Sequence, residues 1–175
     1  MNGMKRLVPV LLLAALGIGP ALGQTSALKG HDSNAPVDVA ADRIEVQDRA
    51  DRAIFSGNVV VRQGELTLTA SRLTVAYSSG GGVELRRIDA TGGVTVRSPS
   101  ETARGDVGIY DLERRIITLI GGVTLVQRDA RVNGGRLTID LDSGRAVIDG
   151  GGPPGVTSQG GRVTGTFTVP QKKGG

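Results

Sequence analysis

The phrase Ser56-Gly57-Asn58-Val59-Val60-Val61 returns as Thr91-Gly92-Gly93-Val94-Thr95-Val96 and as Ile120-Gly121-Gly122-Val123-Thr124-Leu125, with a worn fourth copy at Asp149-Gly150-Gly151. The leading glycines, Gly57, Gly92, Gly121 and Gly150, are 35, 29 and 29 residues apart, and the longer interval holds the loop-like insertion Ser78-Ser79-Gly80-Gly81-Gly82. A second phrase keeps the same beat: Ala41-Asp42-Arg43-Ile44-Glu45-Val46, Ala70-Ser71-Arg72-Leu73-Thr74-Val75, Arg104-Gly105-Asp106-Val107-Gly108-Ile109 and Gly134-Gly135-Arg136-Leu137-Thr138-Ile139, with a half copy at Gly160-Gly161-Arg162-Val163-Thr164. Self-similarity at a fixed period means units that cannot bury an apolar face alone and do so by stacking on the next. The glycines mark corners, where a backbone at positive φ is cheap only without a Cβ.

Between the glycines the period is two. Leu66, Leu68 and Ala70 alternate with Thr67 and Thr69, and Leu73 and Val75 with Arg72 and Thr74, which is the strand signature. No stretch from Pro36 onward keeps apolar residues at three-to-four spacing long enough for a helix, so the chain is all-β. Alternation directs Val37, Val39, Val59, Val61, Leu66, Leu68, Leu73, Val75, Tyr77, Val94, Val96, Ile117, Leu119, Val123, Leu125, Leu137, Ile139 and Leu141 inward. Around Val107 to Leu112 it leaves two inner sets open, Val107 with Ile109 or Tyr110 with Leu112.

The first 23 residues read as a cleaved secretory signal: Lys5 and Arg6, a short apolar run from Leu7 to Ile18, and small residues before a cleavage point after Gly23. A membrane-spanning helix needs about 20 apolar residues, so an exported, unanchored product is expected. Residues 24–35 are polar and irregular and read as a flexible lead, 36–170 as one domain, and 171–175 as a polar tail. Removing Lys5 and Arg6 lowers the formal charge of +4 to about +2, and nucleic-acid binding, which needs a clustered basic face, is not expected. With no cysteine there is no disulfide framework and no site for N-terminal lipidation.

Few groups could do chemistry. His31, the only histidine, lies in the lead segment. No Gly-x-Ser-x-Gly elbow or phosphate-cradling glycine loop occurs. Asp140-Leu141-Asp142-Ser143-Gly144 begins like a calcium loop but lacks the third acidic position and the closing Glu, so it reads as a hairpin turn. Arg86-Arg87 and Arg114-Arg115 read as surface charge, with a cation at a groove mouth as the functional alternative. No enzyme, cofactor or metal site is expected.

Pro36-Val37-Asp38-Val39-Ala40-Ala41-Asp42, followed by Ala53-Ile54-Phe55-Ser56-Gly57-Asn58-Val59-Val60-Val61-Arg62-Gln63-Gly64, closely resembles the opening of the periplasmic lipopolysaccharide-transport proteins of the LptA (OstA-like) family. The resemblance runs on through Ile109-Tyr110-Asp111-Leu112, Leu119-Ile120-Gly121-Gly122 and Gly134-Gly135-Arg136-Leu137-Thr138-Ile139 to Val169-Pro170-Gln171. It implies an open, twisted β-jelly roll, a trough that holds lipopolysaccharide (lipid A) by its acyl chains, and no catalysis. It also implies periplasmic localisation and head-to-tail self-assembly. An inner-membrane-anchored LptC-like partner would meet the N-terminal strand edge and an outer-membrane LptD-like translocon the C-terminal edge.

The acyl-lining role carries over to Val37, Val39, Phe55, Val59, Val61, Val96, Tyr110, Leu112 and Leu125. Two departures from the family pattern stand out: Gly150-Gly151-Gly152-Pro153-Pro154-Gly155 interrupts the approach to the last strand, and the groove is poor in aromatics, with Val96 where a bulkier residue is expected. The competing readings are a closed β-solenoid serving as a spacer or glycan-binding module of the envelope and, more weakly, a polysaccharide-acting enzyme on a β-helix.

Overall fold

A computed structural model of the chain describes residues 31–151 and 161–167. The expected signal segment, most of the lead, most of the Gly150–Gly155 interruption and the tail lie outside the described residues. The strands run β1 (Val37–Ala40), β2 (Arg43–Gln47), β3 (Arg52–Gln63), β4 (Leu66–Ser78), β5 (Glu84–Arg97), β6 (Glu101–Asp111), β7 (Ile116–Gln127), β8 (Ala130–Asp140), β9 (Arg145–Asp149) and β10 (Thr164–Thr166). A single 3-10 turn at Asp48–Ala50 is the helical element among the described residues.

All pairings are antiparallel, and β3 to β8 follow one another as a meander. β1 and β2 both pair with β3, at Val60–Gln63 and at Arg52–Ser56. β9 and β10 share β8 in the same way, at Arg136–Asp140 and Arg131–Asn133. Each long strand is therefore two short strands joined at a corner, and the halves make two layers, one edged by β1 and β10, the other by β2 and β9. This is an open β-jelly roll: the sheet folds back on itself without closing.

The recurring glycine phrase supplies the corners. Every β3–β8 pairing shifts register there, between Ser56 and Val59, Thr91 and Val94, or Ile120 and Val123 on the odd strands. The extra residues form left-handed pairs: Gly57 and Asn58 at φ 78° and 47°, Gly92 and Gly93 at 82° and 79°, Gly121 and Gly122 at 82° and 51°. An extra unpaired residue bends a strand and increases its twist, so a bulge repeated at one level of successive strands creases the whole sheet.

Opposite each corner sits the small residue of the second phrase. Asp42 donates its backbone N–H to Gly57 O at 2.9 Å and accepts from Asn58 Nδ2 at 2.8 Å, while Ser71 Oγ donates to Gly92 O at 2.7 Å. Asp106 leans in the same way over Gly121. Asp106 is thus equivalent to Asp42 and Ser71, and the third copy begins at Gly105, one residue later than the sequence phrases suggest. That shift decides the open choice at 107–112. Tyr110 falls in the position of Val75 and Ile139 and is buried, Leu112 packs against the core, and Val107 and Ile109 point to the outer face.

The core is one aliphatic cluster between the layers, with Leu73, Ala90, Leu119 and Leu137 completely covered. Gly108 occupies the slot filled by Leu73 and Leu137 in neighbouring copies, and a Cβ there would lie 2.9 Å from Val94 Cγ1, so its absence lets Val94 and Leu119 close the interior.

Candidate functional site

Because the inward face alternates along every strand, the two layers have aliphatic inner walls, and the edge strands leave those walls partly uncovered at the ends. At the N-terminal end, Ile44 and Val46 hold the inward positions of β2 but each is 56% exposed, with no further strand beside them among the described residues. At the C-terminal end, Val163 and Phe167 flank β10 and are exposed.

Next to β1 and β2 the layers part into an open cleft of about 700 Å³. Val37 and Val39 line it from one layer, and Val46, Ala53, Phe55, Val75, Tyr77 and Leu85 from the other, with Val83 arching over. Asp48, Asp51 and Ser79 stand among its lining residues and put polar groups beside an apolar floor. A concave, largely apolar cleft of this size fits flexible hydrocarbon.

Three of the nine expected lining residues, Val37, Val39 and Phe55, meet in this cleft. Val59, Val61, Val96, Tyr110 and Leu125 lie deeper, in the packed cluster between the layers, and Leu112 is packed against it. The cleft adds Val46, Ala53, Val83 and Leu85, which the alternation argument did not single out. Val46 carries the signal that could have found it, since it repeats the place of Val75. Val83 and Leu85 follow the glycine loop, where the period restarts.

The long side opposite the corners is closed by a polar network. Gln63, 3% exposed, projects inward at the end of β3; its amide donates to Ser33 O at 3.0 Å and Ala35 O at 3.1 Å. Its Oε1 accepts from Tyr110 OH at 3.2 Å and lies 3.1 Å from His31 Nε2. Burial pushes the Tyr110 phenol above its ordinary pKa, which keeps it neutral and a donor. Arg115 holds the same segment from the other layer, donating to Asn34 Oδ1 at 3.2 Å and Asp142 Oδ1 at 3.0 Å. Residues 31–35 thus form a strap over the mouth between Gln63 of one layer and Arg115 of the other. Farther along the rim, Gln127 donates to the buried Glu101 carboxylate at 2.7 Å.

Both basic pairs are spent on ion pairs. Arg86 meets Glu113 and Arg87 meets Asp89, each at 2.8 Å, and Arg114 and Arg115 pair with Asp111 and Asp142. The hydrogen bond to Asp89 raises the Arg87 pKa still further. At the β8–β9 turn the Asp140 carboxylate accepts the Ser143 and Asp142 N–H groups at 2.9 and 3.0 Å. Those bonds lower its pKa, and the segment is the hairpin turn expected. Among the described residues no group of His, Cys, Asp and Glu could hold a metal ion, and no helix is long and apolar enough to cross a membrane.

A family model described as LptA/(LptD N-terminal domain) LPS transport protein matches residues 38–145. An uncharacterized protein of Rhizobium meliloti (strain 1021) is 32% identical over 154 residues, covering 78% of this chain and 83% of that protein. The lipopolysaccharide export system protein LptA of Haemophilus influenzae is 25% identical over 155 residues, 85% of this chain and 88% of its own. Among solved structures, LptH of Pseudomonas aeruginosa, described as the LptA-homologous periplasmic component of the lipopolysaccharide transport device, superposes with a TM-score of 0.70 at 21% identity. It is covered over 99% of its length by 79% of this chain, and it shares the fold.

Proposed function

This chain belongs to the LptA/(LptD N-terminal domain) LPS transport protein family, and on that premise we propose that it is a non-enzymatic periplasmic carrier of lipopolysaccharide. It takes the acyl chains into its aliphatic interior and passes them from the inner towards the outer membrane. The observation that carries this reading is the cleft between β1 and β2, an apolar opening continuous with the core and set at an unpaired sheet edge. Acyl chains need a continuous aliphatic lining, and each buried methylene contributes about 0.8 kcal/mol.

In this reading Val37, Val39 and Phe55 make the first contacts. Val59, Val61, Val96, Tyr110, Leu112 and Leu125 line the path as the layers part, which gives the cross-mouth network at Gln63 a place to open. The unpaired edges suit β-augmentation: an inner-membrane-anchored LptC-like partner at β1 and β2, an LptD-like translocon at β9 and β10, and further copies head to tail between them. A heterologous contact of that kind yields filaments when its rotation does not close into a ring. One domain from 36 to 170, preceded by a removed signal segment, completes the proposal.

The test is lipid extraction and mass spectrometry of the mature protein purified from a lipopolysaccharide-making host, together with uptake of added lipopolysaccharide. Bound lipid A is expected, with uptake weakened roughly tenfold or more in Val39→Asp and Phe55→Asp. Protein that is empty and takes up none would favour the spacer reading.

A further inference from the structure

The outer faces of the two layers differ in charge. On the layer edged by β1 and β10, cross-strand register aligns Asp38, Arg62, Thr67, Arg97, Thr102, Val126, Arg131 and Thr166 in one row. Thr69, Thr95, Arg104, Thr124 and Asn133 fall in the next row. Residues in register share a face, and Arg62, Arg97, Arg104 and Arg131 are all exposed on this one. Among the described residues none of the four has an ion-pair partner, whereas Arg86, Arg87, Arg114 and Arg115 at the rim of the other layer all do. Among the described residues of these two rows the acidic side chain is Asp38, at the edge opposite Arg62. The outer face of the other layer mixes Arg43, Arg52, Arg72 and Arg145 with Glu45, Asp89, Asp111 and Asp140.

Spacing decides what such a face can bind. Arg62 and Arg97 are two strands apart and Arg97 and Arg131 three, or about 10 and 14 Å at the usual 4.7–4.9 Å between strands. The closest pair, Arg97 and Arg104, lies on the diagonal at about 7–8 Å. The four cannot converge on one phosphate. They match an array of anions across a surface, with threonine and asparagine hydroxyls and amides between them as further hydrogen-bonding groups.

We propose that the outer face of the β1–β10 layer docks on the anionic phospholipid headgroups of a membrane surface. The face is perpendicular to the sheet edges and outside the interior, so β1, β2, β9, β10 and the cleft stay free while it is engaged. It would hold the protein alongside a bilayer through phosphate contacts alone, without inserted apolar groups.

The test is co-sedimentation of the mature chain with vesicles of phosphatidylglycerol and phosphatidylcholine, against pure phosphatidylcholine, at about 0.1 M and 1 M salt, where screening lengths are about 10 and 3 Å. Binding is expected only to the anionic vesicles and only at low salt. Each arginine near such a surface is worth about 1 kcal/mol, so Arg62→Gln, Arg97→Gln, Arg104→Gln and Arg131→Gln together should weaken binding roughly tenfold or more. Removing the same number of charges from the other face, at Arg43, Arg52, Arg72 and Arg145, should leave it within about twofold. All eight are exposed side chains, and thermal unfolding of each variant checks that the fold is kept. Equal loss in both variants would mean a net-charge effect and overturn the proposal, as would wild-type protein that ignores anionic vesicles. Lipopolysaccharide uptake, measured in parallel, should be unchanged in the first variant. Its loss there would place the arginines in the carrier path instead and also overturn the membrane assignment.

Discussion

At Gly92 the backbone sits at φ 82°, and a Cβ would lie 2.6 Å from that of Ser71. Both the left-handed conformation and the close approach exclude a side chain. The left-handed region costs a residue with a Cβ roughly 1–2 kcal/mol, and the clash adds to it. Gly92→Val should therefore lower unfolding free energy by about 2 kcal/mol or more, read from urea denaturation. Gly80→Ala, with open space around it, should stay within about 0.5 kcal/mol. A contrast of the same kind separates wall from mouth. Leu119 is fully covered, so Leu119→Ala should cost about 2–5 kcal/mol. Val46, 56% exposed, should lose under about 0.5 kcal/mol on truncation while lipid uptake falls.

The turns and edges carry their own tests. Asp140 ties the β8–β9 turn by accepting two backbone N–H groups, and its folded pKa lies below the ordinary carboxylate value. Its contribution is present above the unfolded pKa of about 4 and is lost as pH falls through the lower folded value. The melting temperature of Asp140→Ala should trail wild type at neutral pH, and the two curves should converge in acid. At the other extreme, Tyr110 has a raised pKa because it is buried. What it contributes is present below about pH 10 and lost above, so alkaline titration should destabilise wild type more than Tyr110→Phe.

For the edges, light scattering should show a concentration-dependent ladder of oligomers. Val163→Asp with Phe167→Asp, at the exposed residues flanking β10, should abolish it. A ladder that survives would mean that the C-terminal edge does not carry the contact.

Across the whole molecule, stability should be graded from the middle outward. β4 to β7 pair along most of their length on both sides, while among the described residues β1, β2, β9 and β10 are short and paired on one side. Native-state hydrogen exchange should protect amides near Leu73, Ile88, Ile117 and Leu119 most and those of β1, β2 and β10 least. An ordering in which the edges exchange as slowly as the centre would mean that they are already paired between copies.

Much of this was legible in the chain. The period of two assigned the inner residues, because one face of each strand is buried and a slip by one would turn every side chain over. The repeated glycines fixed where the corners fall, since a left-handed pair on each odd strand tolerates little else. The third copy of the second phrase was displaced by one residue because a bulge interrupts the alternation, and only the residue across the corner, Asp106 over Gly121, restores the count. The partners of the basic pairs were also hidden, since Arg86 finds Glu113 and Arg115 finds Asp142 across neighbouring turns, 27 residues on.

The sequence by itself determined an all-β repeat with an aliphatic inner face and glycine corners, because those depend on local periodicity and backbone sterics. Only the tertiary structure decided how the two halves of each strand face each other. That packing closes the deep residues around Leu119, opens the cleft at Val37, Val39 and Phe55, brings His31 and Ser33 over Gln63, and collects four distant arginines on one outer face. Each of these depends on contacts between residues far apart in the chain, which no local period records.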